Sequence, residues 1–138
     1  MNQFTKSERM LQEHMNTYDL TCPYDNMYQG VRGRLLFVCS AGMLRSPTAA
    51  NVATKSGYNA RSCGSAPYAL IPLSVNLIHW ANKIYFMNEE NSTQALEAFY
   101  GDRETCDMLK SKMIVWEIED VHDFMDPTLV YKIENLLT

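Results

Sequence analysis

The chain has 138 residues, 46% of them hydrophobic and 20% charged, with a formal net charge of −4. That length suits one domain with a buried core, and the acidic balance excludes a scaffold that neutralises a nucleic-acid backbone with a stripe of lysine and arginine. No apolar run approaches membrane-spanning length and the N-terminus lacks the apolar core of a signal peptide, so a cytoplasmic location is expected, with neither nucleic acid nor membrane as partner.

Residues 1–33 read as an N-terminal extension. Thr5-Lys6-Ser7-Glu8 fits a capping box, and Leu11, Met15 and Tyr18 recur at helical spacing, which predicts a short amphipathic helix. Leu20 to Gly33, with Pro23 and two glycines, reads as an irregular connection. The apolar face of the helix needs a cover: either it packs on the domain as an added layer, or it acts as a lid or as the contact of a homodimer.

The chain then reaches the stretch around which the rest is organised. Leu35 to Val38 is an apolar run without helical spacing and predicts a buried strand that stops at Cys39. A small loop, Ser40-Ala41-Gly42-Met43-Leu44, leads to Arg45, and Ser46-Pro47-Thr48 opens a helix with proline in its first turn. Strand, tight loop and helix make an anion-binding geometry, because the first N–H groups of a helix have no internal acceptor and the dipole there is positive. The same field favours a cysteine thiolate at the rim of the loop. Arg45 supplies a planar fork that matches two phosphate oxygens, and Ser46 can donate its hydroxyl to the sulfur.

After Ser46 the pattern alternates. Ala49, Ala50, Val52 and Ala53 form a small-residue helical face that ends near Gly57. A brief strand is predicted at Ala60 to Cys63, a loop at Gly64 to Pro67, and a helix over 72–81. A third strand follows at Lys83 to Met87, a third helix at Asn91 to Tyr100, a fourth strand at Met113 to Ile118, and a last helix from Thr128. Such alternation implies a parallel sheet flanked by helices, with ligands at the carboxyl ends of the strands, where Cys39 stands.

Cys39-x5-Arg45-Ser46-Pro47, with its preceding strand and following helix, resembles the phosphate loop of the low-molecular-weight protein tyrosine phosphatases and of the arsenate reductases built on the same fold. The resemblance covers residues 34–137. Ser62-Cys63-Gly64-Ser65 is similar to the family's S-A-G-T, Ile84-Tyr85-Phe86-Met87 to its third strand, and the whole to a compact bacterial and phage-type branch. It implies a phosphatase-like domain over 34–138 with a four-stranded parallel sheet in the order 2-1-3-4. Two positions depart from the family. Ala41-Gly42 replaces Gly-Asn in the middle of the loop, and Leu44 stands where many relatives carry a second, redox-active cysteine.

The resemblance further implies a phosphomonoester hydrolase, with protein phosphotyrosine or a small phosphomonoester as substrate, working through a cysteinyl-phosphate and without metal or cofactor. Cys39 and Arg45 are the expected catalytic residues. Ser40, Ala41, Gly42, Met43, Leu44 and Ser46 would bind the phosphate, and Tyr68 corresponds to the ring that stacks on the substrate's side chain; Trp80 reads as core. The leaving oxygen needs an acid, and Asp120, Asp123 and Asp126 are candidates. Position just after the fourth strand favours Asp120. The family's aspartate-proline pair matches Asp126-Pro127, which also reads as an N-cap followed by proline at the first helical position.

Cys22, Cys39, Cys63 and Cys106 are irregularly spaced and, with His14, His79 and His122 scattered, form no metal pattern. Cys63, at the end of the second strand, could reach the neighbourhood of Cys39 as a resolving thiol, and the favoured reading is a small packed cysteine. Arsenate reduction would need two further cysteines in a flexible segment, where Cys106 stands alone. A module that binds phosphate without turnover is the third reading.

Overall fold

The computed structural model describes residues 31–137. The N-terminal helix expected at residues 5–18, together with Cys22 and most of the extension, lies outside the described residues. Four strands, β1 (Arg34–Cys39), β2 (Asn59–Gly64), β3 (Lys83–Phe86) and β4 (Met113–Val115), form one parallel sheet in the order β2-β1-β3-β4. Five helices connect or follow them: α1 (Arg45–Lys55), α2 (Val75–Trp80), α3 (Glu89–Ala98), α4 (Arg103–Lys112) and α5 (Pro127–Leu137). No helix among the described residues is long and apolar enough to cross a membrane.

Alternation along β1 divides the core between the two faces of the sheet. Leu35, Phe37 and Cys39 pack with Ala49, Val52 and Ala53 of α1 and with Leu129 and Ile133 of α5. Leu36 and Val38 pack on the other side with Leu77 and Ile78 of α2, Ala95 of α3 and Leu109 of α4. Both sets are almost wholly buried, which makes β1 the central strand and explains its unbroken apolar run. Phe37, Tyr85 and Trp116 stack across β1, β3 and the chain beyond β4. Burial, with Tyr58 adding to it, pushes the Tyr85 phenol upward and keeps it neutral within this cluster.

Three elements differ from the sequence expectation. The second helix begins at Val75 rather than at 72, because Gly64 exchanges hydrogen bonds with Ile71 and Leu73 and keeps that stretch extended, while Ser74 caps the helix by accepting from the Leu77 N–H. α4 has no counterpart among the elements expected from the sequence. Its cap is sound, with Asp102 accepting from the Thr105 N–H at 3.1 Å and its hydroxyl at 2.6 Å, and Gly101 at φ +98° turns the chain into it. Yet only Thr105 and Leu109 are buried, too few to make an apolar period. The fourth strand ends at Val115 instead of Ile118. Beyond it the chain still runs along β3, with Trp116 N–H on the Phe86 carbonyl and Ile118 N–H on the Met87 carbonyl, both 2.8 Å.

Candidate active site

The carboxyl end of β1 delivers Cys39 to a cavity of about 210 Å³ lined by Cys39, Ser40, Ala41, Met43, Leu44, Arg45, Tyr68 and Asp120. The loop curls back on its first residue. The Gly42 N–H points at the Cys39 sulfur at 3.2 Å, and the Ser46 hydroxyl lies 3.1 Å from it. The Ser46 hydroxyl also lies 3.2 Å from the Cys63 carbonyl. One hydroxyl proton cannot serve both: with a thiol, Cys39 donates to Ser46 and Ser46 to the carbonyl, and with a thiolate Ser46 turns its proton to the sulfur. Two donors converging on Sγ are the environment an anionic sulfur requires.

Leu44, the N-cap of α1, offers no side-chain acceptor, so the helix mouth is not closed by its own cap. Arg45 at the first helical position is 2% exposed. Its Nη1 donates to the Ile118 carbonyl at 2.9 Å, and its Nε lies 3.5 Å from Asp120 Oδ1. That ion pair has a carboxylate 64% exposed, so it contributes about 0–1 kcal/mol, too little to fix the acid by itself. Tyr68 is exposed at the rim, as are Met43 and, less so, Leu44.

The backbone of the loop is set by two glycines. Gly42 has φ +73°, a conformation that costs glycine little, and a Cβ there would meet the Cys63 carbonyl carbon and the Gly64 nitrogen at 3.0 Å. A Cβ on Gly64 would lie 2.6 Å from the Ser40 carbonyl oxygen. The loop rests directly on the end of β2. Glycine in place of the family asparagine therefore suits a loop packed against backbone, not a slack one.

Sequence reasoning missed the side chains that hold this loop from outside. Asn91, fully buried in the first turn of α3, donates from Nδ2 to Ser40 Oγ at 2.9 Å and to Ser65 Oγ at 3.4 Å, and Ser65 donates to Gln94 Oε1 at 2.7 Å. Only its burial within a short polar helix start marks Asn91, and a sequence does not display that.

The candidate acids are placed differently, and Asp123 is exposed and lies outside the cavity lining. Asp120 lines the cavity; Asp126 does not. Asp126 Oδ1 accepts from the Thr128 N–H at 3.1 Å as the cap of α5, and Oδ2 lies 2.8 Å from His122 Nδ1. These bonds, that of His122 first, hold its carboxyl below the usual aspartate range. The remaining cysteines stand apart. Cys63 faces the α2 side of the sheet while Cys39 faces the α1 side, and Cys106 Sγ rests on the Phe99 carbonyl at 3.2 Å. Trp80 is core. Among the described residues no group of three or more His, Cys, Asp or Glu is arranged to hold a metal ion.

The chain is similar in structure to YwlE arginine phosphatase from Geobacillus stearothermophilus, with TM-score 0.55 and 19% identity over 75% of this chain and 90% of that one. Wzb from Vibrio vulnificus, in complex with benzylphosphonate, gives TM-score 0.54 and 15% identity over 74% and 90%. The chain has the low-molecular-weight protein tyrosine phosphatase fold. A thioredoxin-dependent arsenate reductase from Corynebacterium glutamicum shares this phosphatase fold, with TM-score 0.56 and 18% identity over 97% of this chain and 75% of that one. No protein-family model and no curated protein matches the chain.

Proposed function

We propose that the protein is a cysteine-dependent phosphomonoester hydrolase whose substrate is phosphotyrosine in proteins. The observation that carries this reading is the convergence on one cavity of Cys39, the buried Arg45 and Asp120, with the Gly42 N–H and Ser46 hydroxyl behind the sulfur. Cys39 thiolate attacks phosphorus in line while Arg45 and the loop N–H groups hold the equatorial oxygens. The P–O bond to the phenol breaks, and Asp120 gives its proton to the departing oxygen. A water, losing its proton to Asp120, then attacks the cysteinyl-phosphate, and the S–P bond breaks to release phosphate and return the thiolate.

The apolar surface of Met43, Leu44 and Tyr68 at the rim supports an aryl ester over a sugar or nucleotide. Turnover of para-nitrophenyl phosphate, phosphotyrosine peptides, phosphoserine peptides and nucleotides by the wild type and by Cys39→Ser tests the reading. Cysteine-dependent hydrolysis ranked with phosphotyrosine first is expected. Tight phosphate binding without turnover of any of them would overturn it in favour of a binding module.

A further inference from the structure

Asp120 is the one proposed catalytic group that no regular element holds. It lies between β4 and α5, and its contact with Arg45 is long and exposed. The segment is instead clamped at both ends. At the near end, Ile118 donates its N–H to the Met87 carbonyl at 2.8 Å and accepts from Arg45 Nη1 at 2.9 Å. At the far end, the Met125 N–H donates to Thr48 Oγ1 at 2.9 Å, and the Thr48 hydroxyl donates to the carbonyl of Leu44, the residue before Arg45, at 2.7 Å. Both anchors land on the chain around Arg45.

Across this turn lies a pair made of a buried histidine and a half-buried aspartate. His122 is 9% exposed, with Nδ1 at 2.8 Å from Asp126 Oδ2. Capping of α5 occupies only the other oxygen of Asp126, and a cap requires no histidine. The carboxylate places the imidazole proton on Nδ1. His122 Nε2, buried without a hydrogen-bond partner, is then a bare lone pair and not a stranded N–H, so the pair settles both the tautomer and the orientation of the ring. Met125, next to Asp126, has φ +60°, a left-handed conformation that a bulky residue keeps only where its surroundings over-determine it.

We propose that His122 and Asp126 are positioning residues for Asp120: their pair closes the 120–126 turn across its middle and, with the Thr48–Met125 hydrogen bond, holds the Asp120 carboxyl over the mouth of the cavity. This rests on the reading of Asp120 as the acid. Neither His122 nor Asp126 lines the cavity. Their loss therefore acts on proton transfer to the leaving group and not on phosphate binding.

The test uses the full chain with Asp126→Ser, which keeps an N-cap but is too short to reach His122, with His122→Phe, and with Thr48→Val. Asp120→Asn is the reference. On phosphotyrosine, whose phenol must be protonated, each variant should lose about tenfold or more in kcat/KM, which reports phosphoryl transfer to Cys39 and not the later hydrolysis that all substrates share. On dinitrophenyl phosphate, whose phenolate leaves unaided, the loss in kcat/KM should stay within about threefold, with inhibition by inorganic phosphate little changed. Asp126→Ser keeps a cap for α5 and should stay folded at the assay temperature with a modest fall in melting temperature, so a His122→Phe chain that does not fold leaves the other two variants to decide. Equal losses on both substrates, or none on either, overturn the proposal. If Asp120→Asn itself shows no leaving-group dependence, the acid assignment falls and the latch with it; if Asp120→Asn shows it and the three variants do not, the latch alone falls.

Discussion

Gly64 and Ser40 meet backbone to backbone: a Cβ on Gly64 would stand 2.6 Å from the Ser40 carbonyl oxygen and 2.4 Å from the Ala69 Cβ. Neither neighbour is the end of a flexible side chain, so Gly64→Ala must push the phosphate loop off β2. The expected cost is about 1–3 kcal/mol of stability, measured by denaturant unfolding, together with a loss of kcat/KM that exceeds what partial unfolding explains. A variant with normal kcat/KM would show that the loop does not depend on this seat.

Cys39→Ser should have no measurable turnover of para-nitrophenyl phosphate while keeping its melting temperature, because a serine alkoxide is not accessible at neutral pH. Arg45→Lys should lower kcat/KM about 10²-fold or more, since a single ammonium cannot hold two phosphate oxygens and the Ile118 carbonyl together. Near-normal rates in either variant would remove that residue from the proposed chemistry.

The parallel alternation and the cluster Cys39, Arg45 and Asp120 were legible from local signals, namely a two-sided apolar strand, a loop of fixed length and a position just past a strand end, whereas the sheet order came only with the resemblance to the phosphatase family. The supports were not. Asn91 meets Ser40 across 51 residues of sequence and Thr48 meets Met125 across 77, while His122 pairs with Asp126 within one turn of chain, and a polar residue at a helix start or in a loop looks the same whether it faces water or a partner. α4 escaped for the related reason that two buried residues do not make a period.

Because all the proposed catalytic groups follow Arg34, deletion of residues 1–30 should leave aryl phosphatase activity within about tenfold. A larger loss in a variant that still folds would assign the extension a part in closing the site.

The depressed carboxyl of Asp126 makes stability depend on acid. Its folded value lies below its ordinary 3.8, so the contribution of the pair is complete above that pH and is lost as the pH falls through the folded value. Asp126→Ser should therefore lower stability modestly on the neutral side and flatten the acid limb of a stability-against-pH curve below about pH 4, where it converges on the wild type. An unchanged acid limb would mean that Asp102, whose carboxyl is likewise held low by the Thr105 side chain, accounts for the slope.

The two aspartates are separated by the size of the leaving-group effect. Asp126 has both oxygens engaged, and bonds that hold its carboxyl low make it a poorer proton donor. Asp120 is open to the cavity. Asp120→Asn should thus slow phosphotyrosine, with a phenol pKa near 10, by about 10²-fold or more relative to dinitrophenyl phosphate. Asp126→Asn keeps the cap of α5, but its amide can only donate to His122 Nδ1, which moves the ring proton to Nε2, where it is buried without an acceptor. That variant should lose less on phosphotyrosine than Asp120→Asn and should melt at a lower temperature. A loss in Asp126→Asn larger than in Asp120→Asn, on phosphotyrosine alone, would make Asp126 the acid.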